Sequence, residues 1–349
     1  MNHATLSPPS PPQAVSPTAG SLSRLHLSHP RVLQMLDEMS AQLCPGSQST
    51  ILLICGPTGI GKTTLTRRMV NDAHGQQRAR MDCDAGIIPA IYVEAPASGE
   101  TDFSWRLFFQ RILAQCDGPL DIPKVAYGVD ATTGRVWRSR GPNGNSLAAL
   151  RTAVENTLRE RQVQFIVVDE AAHMIRQSRR NRLEIHLDTL KSLANQSGTQ
   201  MVLSGSYDLY RLMALSGQLA RRTHVLHFAR YREDNANDVR AFKSCLLAFE
   251  KALPDLWTGQ LMQYAEALHG NTLGCIGTLS AVLSRSARFA EQGGKWSVST
   301  LERALLTEAQ RNKILEEILE GEEAINPSLT RIMNQPLRNG GARAAGRAM

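Results

Sequence analysis

A short apolar run, Ile51–Cys55, opens directly onto Gly56, Pro57, Thr58, Gly59, Ile60, Gly61, Lys62, Thr63 and Thr64, and an amphipathic helical pattern follows. A strand before GxxxxGKT and a helix after it leave little freedom to the fold around them, because the pattern carries both a phosphate-binding turn and a helix N-terminus. The glycines let the backbone turn its N–H groups inward without Cβ clashes, so the amides of Gly56 to Thr64 and the helix end meet a polyphosphate together. Lys62 is placed to reach the β- and γ-phosphates of a nucleoside triphosphate, and Thr63 to hold Mg²⁺. The flanking strand and helix separate this reading from an ordinary glycine-rich βα turn.

A second segment points to hydrolysis. Residues 164–170, QFIVVDE, form an apolar run ending in two carboxylates, as expected of a buried parallel strand that delivers acids to its C-terminal edge. Asp169 is assigned to Mg²⁺ through water, and Glu170 to orienting and deprotonating the attacking water. Two acids are needed because one neutralises metal while the other handles a proton. Taken alone, such a run reads equally as a strand-end helix cap; the upstream turn decides between them.

The 349-residue chain is long enough for one larger and one smaller domain. Its formal net charge of +7 favours a polyanionic partner. The six cysteines lack CxxC pairs and histidines at metal spacing, so reduced thiols are expected. The first residues, rich in Pro and Ser without a basic start and apolar core, read as a disordered leader and not an export signal. No apolar run approaches bilayer length, so no membrane partner and a cytoplasmic location are expected.

Beyond the leader (1–22), helix and strand signals alternate: helix 29–43, strand 50–55, helix 62–73, strand 89–95, helices 103–116 and 146–161, strand 164–169, helix 182–196, and strands 200–205 and 223–228. This rhythm predicts an α/β fold over 23–231, a central parallel sheet flanked by helices, with ligands at the C-terminal strand ends. Strand signals then stop. Helical patterns at 234–252, 258–268, 275–291 and near 299–319 predict a small helical lid over 232–310, and 311–349 reads as a C-terminal helix with a flexible basic tail.

Several segments together resemble the AAA+ P-loop ATPases of transposition, the TnsC and TniB family: SHPRV before the phosphate turn, IYVEAPA after it, FIVVDEAAH, MVLSGS, QLARR and NTLGCIGTL. The likeness covers roughly residues 24–295. It implies ATP-dependent assembly as a helical or ring homo-oligomer on double-stranded DNA, linking a target-selection factor to a transposase. It assigns Gly56 to Thr63 to Walker A, Asp169 and Glu170 to Walker B, and Ser206, with Ser204 close behind, to the polar sensor after the strand. Arg221 or Arg222 matches the arginine finger inserted by a neighbouring subunit, a contact worth roughly 10³ to 10⁵ in rate when delivered in trans. Where such lids often carry a sensor arginine in GxxR, this chain has Gly277, which implies slow turnover.

Two basic clusters compete for DNA. The favoured one, Lys124, Tyr127, Arg135, Trp137, Arg138 and Arg140, interleaves charge with aromatics in a glycine-containing insert. The other is Arg176, Arg179, Arg180 and Arg182, after Walker B. Alternative functions are a helicase loader or initiator on the same fold, and a nucleotide-dependent scaffold without useful hydrolysis, which Glu170 disfavours. DEAAH differs from the helicase signature DEAH by an inserted residue, and the other helicase motifs are missing.

Overall fold

Runs apolar on both faces can be buried only between two layers, and Ile51–Cys55 and Phe165–Asp169 are such runs inside a five-stranded sheet. The computed structural model describes residues 19–22, 25, 27–43, 51–97, 99, 102–116, 127–129, 136–138, 146–176, 180–214 and 223–325. Its main strands are β1 (Ile51–Cys55), β2 (Ala90–Glu94), β5 (Phe165–Asp169), β6 (Gln200–Gly205) and β7 (Thr223–His227). They form one parallel sheet in the order β2-β5-β6-β1-β7. Every residue of β1 and β5 is buried, as a doubly covered parallel strand demands. A separate antiparallel pair, β3 (Tyr127–Val129) and β4 (Val136–Arg138), lies in the basic insert.

Side chains alternate across the sheet. Leu53, Ile166, Val168 and Leu203 face helices α5 (Trp105–Cys116), α6 (Leu147–Glu160) and α8 (Arg180–Ser197). Leu52, Ile54, Val167 and Val202 face α2 (Pro30–Gln42) and α3 (Lys62–Gln76). The remaining helices before Ala236 are the short α1 (Ala19–Leu22), which packs on the helical lid, α4 (Arg78–Cys83) and α7 (Ala172–Arg176), and a 3₁₀ segment spans Tyr207–Ala214. The alternating strands and helices stand where the sequence places them. Of the short elements, α1, α4 and the 3₁₀ segment were not anticipated.

From Ala236 onward the described chain is helical: α9 (Ala236–Ala252), α10 (Pro254–Trp257), α11 (Ala265–Thr272), α12 (Ile276–Gly293), α13 (Val298–Glu302) and α14 (Glu308–Ile325). Two expectations need correcting. The helix expected over 258–268 does not form as one piece: Thr258 and Gly259 take left-handed backbone (φ 50° and 75°), and the chain re-enters through a 3₁₀ turn at Leu261–Tyr264. The helix expected near 299–319 divides into α13 and α14. Asn271 grips the backbone of Leu306 from both sides at 3.0 Å, and Thr307 and Gln310 cap the new start.

The expected leader also overlaps folded structure. Residues 1–18 lie outside the described residues, but Leu22 is wholly buried among the lid side chains Phe242, Leu246, Trp257 and Leu283. α14 packs on the α/β half, where Ile318 and Ile325 join the cores on opposite sides of the sheet.

The start of α2 is tied to the start of the lid. His29 Nδ1 lies 2.8 Å from Tyr231 Oη, and Arg31 donates to both carboxylate oxygens of Asp238 at 3.0 Å. Burial, then the Arg31 charge, lowers the His29 pKa to about 4. Below its ordinary value the unfolded chain takes up a proton that folded His29 refuses. The neutral ring's contribution is therefore complete above about pH 6.5 and lost as pH falls toward about 4, up to about 3 kcal/mol. Urea midpoints at pH 7 and pH 4.5 should differ more for the wild type than for His29→Asn.

Candidate phosphate and metal site

The turn after β1 is shaped by contacts that leave no room for side chains. A Cβ on Gly56 would come within 2.5 Å of the Phe228 carbonyl oxygen, and one on Gly59, at φ +78°, within 2.1 Å of Thr278 Oγ1. Gly61 begins α3 at φ +110° with open space where a side chain would stand. Ile60, 2% exposed, anchors the loop in the core while Thr58 is exposed. The result is a cradle of amides at the N-terminus of a helix. Lys62 Nζ donates to the carbonyl oxygens of Gly56 and Pro57 at 2.9 Å each, so the ammonium is held across the loop. Burial lowers its pKa, while Glu170 and Asp169 act to raise it.

Thr63 leaves the first turn of α3 toward β5. Its Oγ1 donates to Asp169 Oδ2 at 2.7 Å, and Tyr92 Oη, from β2, donates to the same oxygen at 2.7 Å. Asp169 Oδ1 accepts the Glu170 N–H at 3.0 Å. The Asp169 carboxylate is therefore buried and bonded at both oxygens. Glu170, by contrast, is exposed, and its backbone is left-handed at φ 51°, an uncommon state for a residue with a Cβ. That bend turns the chain out of the sheet so that one acid stays inside and the next faces solvent. Oxygen donors from Thr63 and Asp169 beside a fixed ammonium fit Mg²⁺ with a polyphosphate.

The two candidate sensor serines have different surroundings. Ser204 is wholly buried, and its Oγ has no hydrogen-bond partner among the described residues. Ser206 is half-buried and donates to Asp208 Oδ2 at 3.3 Å. It lines a cavity of about 450 Å³ with Pro57, Thr58, Tyr207 and residues of α14. This places Ser206 beside the exposed shoulder of the phosphate turn.

The lid meets the same turn. Thr278 N–H donates to the Gly59 carbonyl at 2.8 Å, and a Cβ on Gly277 would lie 2.5 Å from that oxygen. A side chain at 277 would therefore push the lid off the loop. On the other side of the cavity, Gly321 of α14 lies flat on the Tyr207 ring, and Arg230 pairs with Glu322 at 2.9 Å. Tyr92, Thr278 and Gly321 were missed from the sequence. A lone glycine inside the acidic helical pattern of α14 was a usable signal for the last.

Of the DNA candidates, Trp137 and Arg138 stand on β4, paired with Gly128 and Tyr127. Lys124, Arg135 and Arg140 lie outside the described residues, as do Arg221 and Arg222. In the second cluster Arg176 ends α7, Arg180 and Arg182 lie in α8, and Arg179 is not described.

Comparison with known proteins agrees with this geometry. A family model described as an AAA domain matches residues 46–213. Cdc6p from Pyrobaculum aerophilum superposes with a TM-score of 0.52 at 17% identity, over 93% of this chain and 76% of that one. A Walker-type ATPase of Pyrococcus abyssi gives 0.52 at 13% identity, over 83% and 75%. The Aeropyrum pernix ORC1 protein, solved in complex with DNA, gives 0.51 at 16% identity, over 82% and 68%. No curated protein sequence matches. The fold is the AAA+ P-loop fold, with a helical C-terminal part. None of the described helices is long and apolar enough to cross a membrane.

Proposed function

We propose that this chain is an ATP-hydrolysing AAA+ regulator of DNA transposition. It assembles on duplex DNA and couples a target-selection factor to a transposase. The observation that carries the catalytic half is the meeting of Lys62, Thr63, Asp169 and Glu170 at one sheet edge. In this reading the amides of the phosphate turn and Lys62 orient the ATP tail, and Thr63 and Asp169 would hold Mg²⁺, which would supply charge neutralisation for the transferring phosphoryl group. Glu170 takes a proton from the attacking water, and Ser206 orients water or phosphate. Arg221 or Arg222 of an adjacent copy completes the site, so turnover depends on assembly, and ATP binding stabilises the assembly by mass action. The lid contact at Gly277 leaves no position for a sensor arginine, and slow turnover follows.

DNA contact is assigned to the insert carrying Lys124, Arg135, Trp137, Arg138 and Arg140. Contacts of this kind go mainly to phosphate, so log K should fall with log salt by about 0.9 per phosphate neutralised. Arg138→Ala with Arg140→Ala is expected to reduce that slope by about 2, as read by fluorescence anisotropy of labelled duplex. An unchanged slope moves the contact to the cluster after Asp169.

A second reading, a helicase loader or replication initiator, is favoured by the fold's likeness to Cdc6p and ORC1. Electron microscopy of the chain with an ATP analogue and duplex DNA, followed by addition of transposase or replicative helicase, separates the two. Continuous helices or rings that recruit transposase support the first; recruitment of helicase supports the second. Single particles under saturating nucleotide and DNA would overturn the assembly mechanism itself.

A further inference from the structure

We propose that Tyr92, backed by Arg67, is a positioning residue that holds the Asp169 carboxylate in its metal-binding orientation. The proposal rests on the nucleotide and Mg²⁺ reading given above and concerns the same site. Tyr92 and Asp169 lie on neighbouring strands, where Tyr92 pairs with Val167 and Glu94 with Asp169. Strand alternation puts the side chains of Tyr92, Val167 and Asp169 on the α3 face of the sheet. From there the phenol donates to Asp169 Oδ2 at 2.7 Å, the oxygen that also accepts from Thr63.

The helix after the phosphate turn grips this pair twice. Thr63 and Arg67 are one helical turn apart and so share a face of α3. Thr63 reaches the carboxylate directly. Arg67 reaches the phenol ring, with its guanidinium carbon 5.1 Å from the ring centroid.

The consequence appears when Thr63 turns its hydroxyl to a metal. Asp169 Oδ2 then loses one of its two donors and keeps the other, and its orientation is unchanged. Without the Tyr92 hydroxyl, that oxygen would keep neither, and the Glu170 N–H on Oδ1 would be left to orient the carboxylate by itself. Groups that orient a metal ligand in this way typically contribute about 10-fold or more to metal affinity.

The test uses the full chain and a fluorescent ATP analogue, titrated first in chelator and then with Mg²⁺. For Tyr92→Phe the expected result is unchanged affinity in chelator and a Mg²⁺ half-saturation concentration raised about 10-fold. Arg67→Met keeps an aliphatic stem on the ring and removes the guanidinium. It is expected to shift half-saturation in the same direction by a smaller factor. Wild-type half-saturation in Tyr92→Phe overturns the proposal. Should Tyr92→Phe fail to fold, wild-type half-saturation in Arg67→Met overturns it instead. A wild-type protein that binds the analogue no more tightly with Mg²⁺ than in chelator removes the underlying metal reading, a result distinct from either.

Discussion

Glu170→Gln is expected to lower steady-state ATP turnover by about 10²–10⁴-fold while nucleotide affinity stays close to the wild type. The size follows from the role: the amide fills the same volume but cannot accept the proton of the attacking water. The retained affinity follows from geometry. Lys62, Thr63 and Asp169 contact one another and the phosphate turn without using the Glu170 side chain, whose backbone N–H alone bonds Asp169. The substitution also keeps a residue of equal size at the left-handed position, so backbone strain is matched. Phosphate release and analogue binding, measured on the same preparations with and without duplex DNA, check both halves. Unchanged turnover would remove Glu170 from catalysis, no turnover in either protein would support the scaffold reading, and lost binding would make Glu170 a structural residue of the turn.

The second large effect is on stability. Gly274→Val is expected to destabilise the fold by about 2–5 kcal/mol, combining the cost of left-handed backbone for a residue with Cβ and that of overpacking. Gly274 sits at φ +73°, and a Cβ there would lie 1.9 Å from the Tyr231 carbonyl oxygen. The close approach is structural: Tyr231 N–H donates to the Gly274 carbonyl at 3.1 Å, tying the first residues beyond β7 to the turn that enters α12. Since Thr278 on that helix holds the phosphate turn, the same substitution should loosen nucleotide binding as well. Urea midpoints, with Gly75→Ala as a control whose Cβ meets nothing within 4 Å, measure the first effect. A midpoint equal to the control's would show that the turn has another conformation available.

Much of this was legible in the residues because the decisive signals are local. GxxxxGKT between strand and helix, and an unbroken apolar run ending in Asp169 and Glu170, each report their environment within a few positions. What stayed hidden depends on partners distant in sequence. Tyr92 could be paired with Asp169 only once β2 and β5 were known to be neighbours in register, which no local pattern states. The break between α13 and α14 comes from the Asn271 side chain gripping Leu306, so helical periodicity ran straight through it. Ser204 lies inside β6 and Ser206 just beyond its end, a difference set by where the strand stops, which the sequence does not mark. The division of the helix expected over 258–268 was closer to hand, because Thr-Gly after a Pro-initiated turn is a stop signal.

The strand that carries the phosphate turn pairs only with partners made much later. β1 lies between β6 and β7, and Met201 follows Ile51 by about 150 residues. At synthesis rates of roughly 5–20 residues per second, Ile51–Cys55 waits on the order of 8–30 s for its first neighbour. During that interval a fully apolar segment emerges from the ribosome with its hydrogen-bonding edges bare, so the nascent polypeptide depends on chaperone shielding, and products terminated before Gly205 are expected to aggregate when overexpressed.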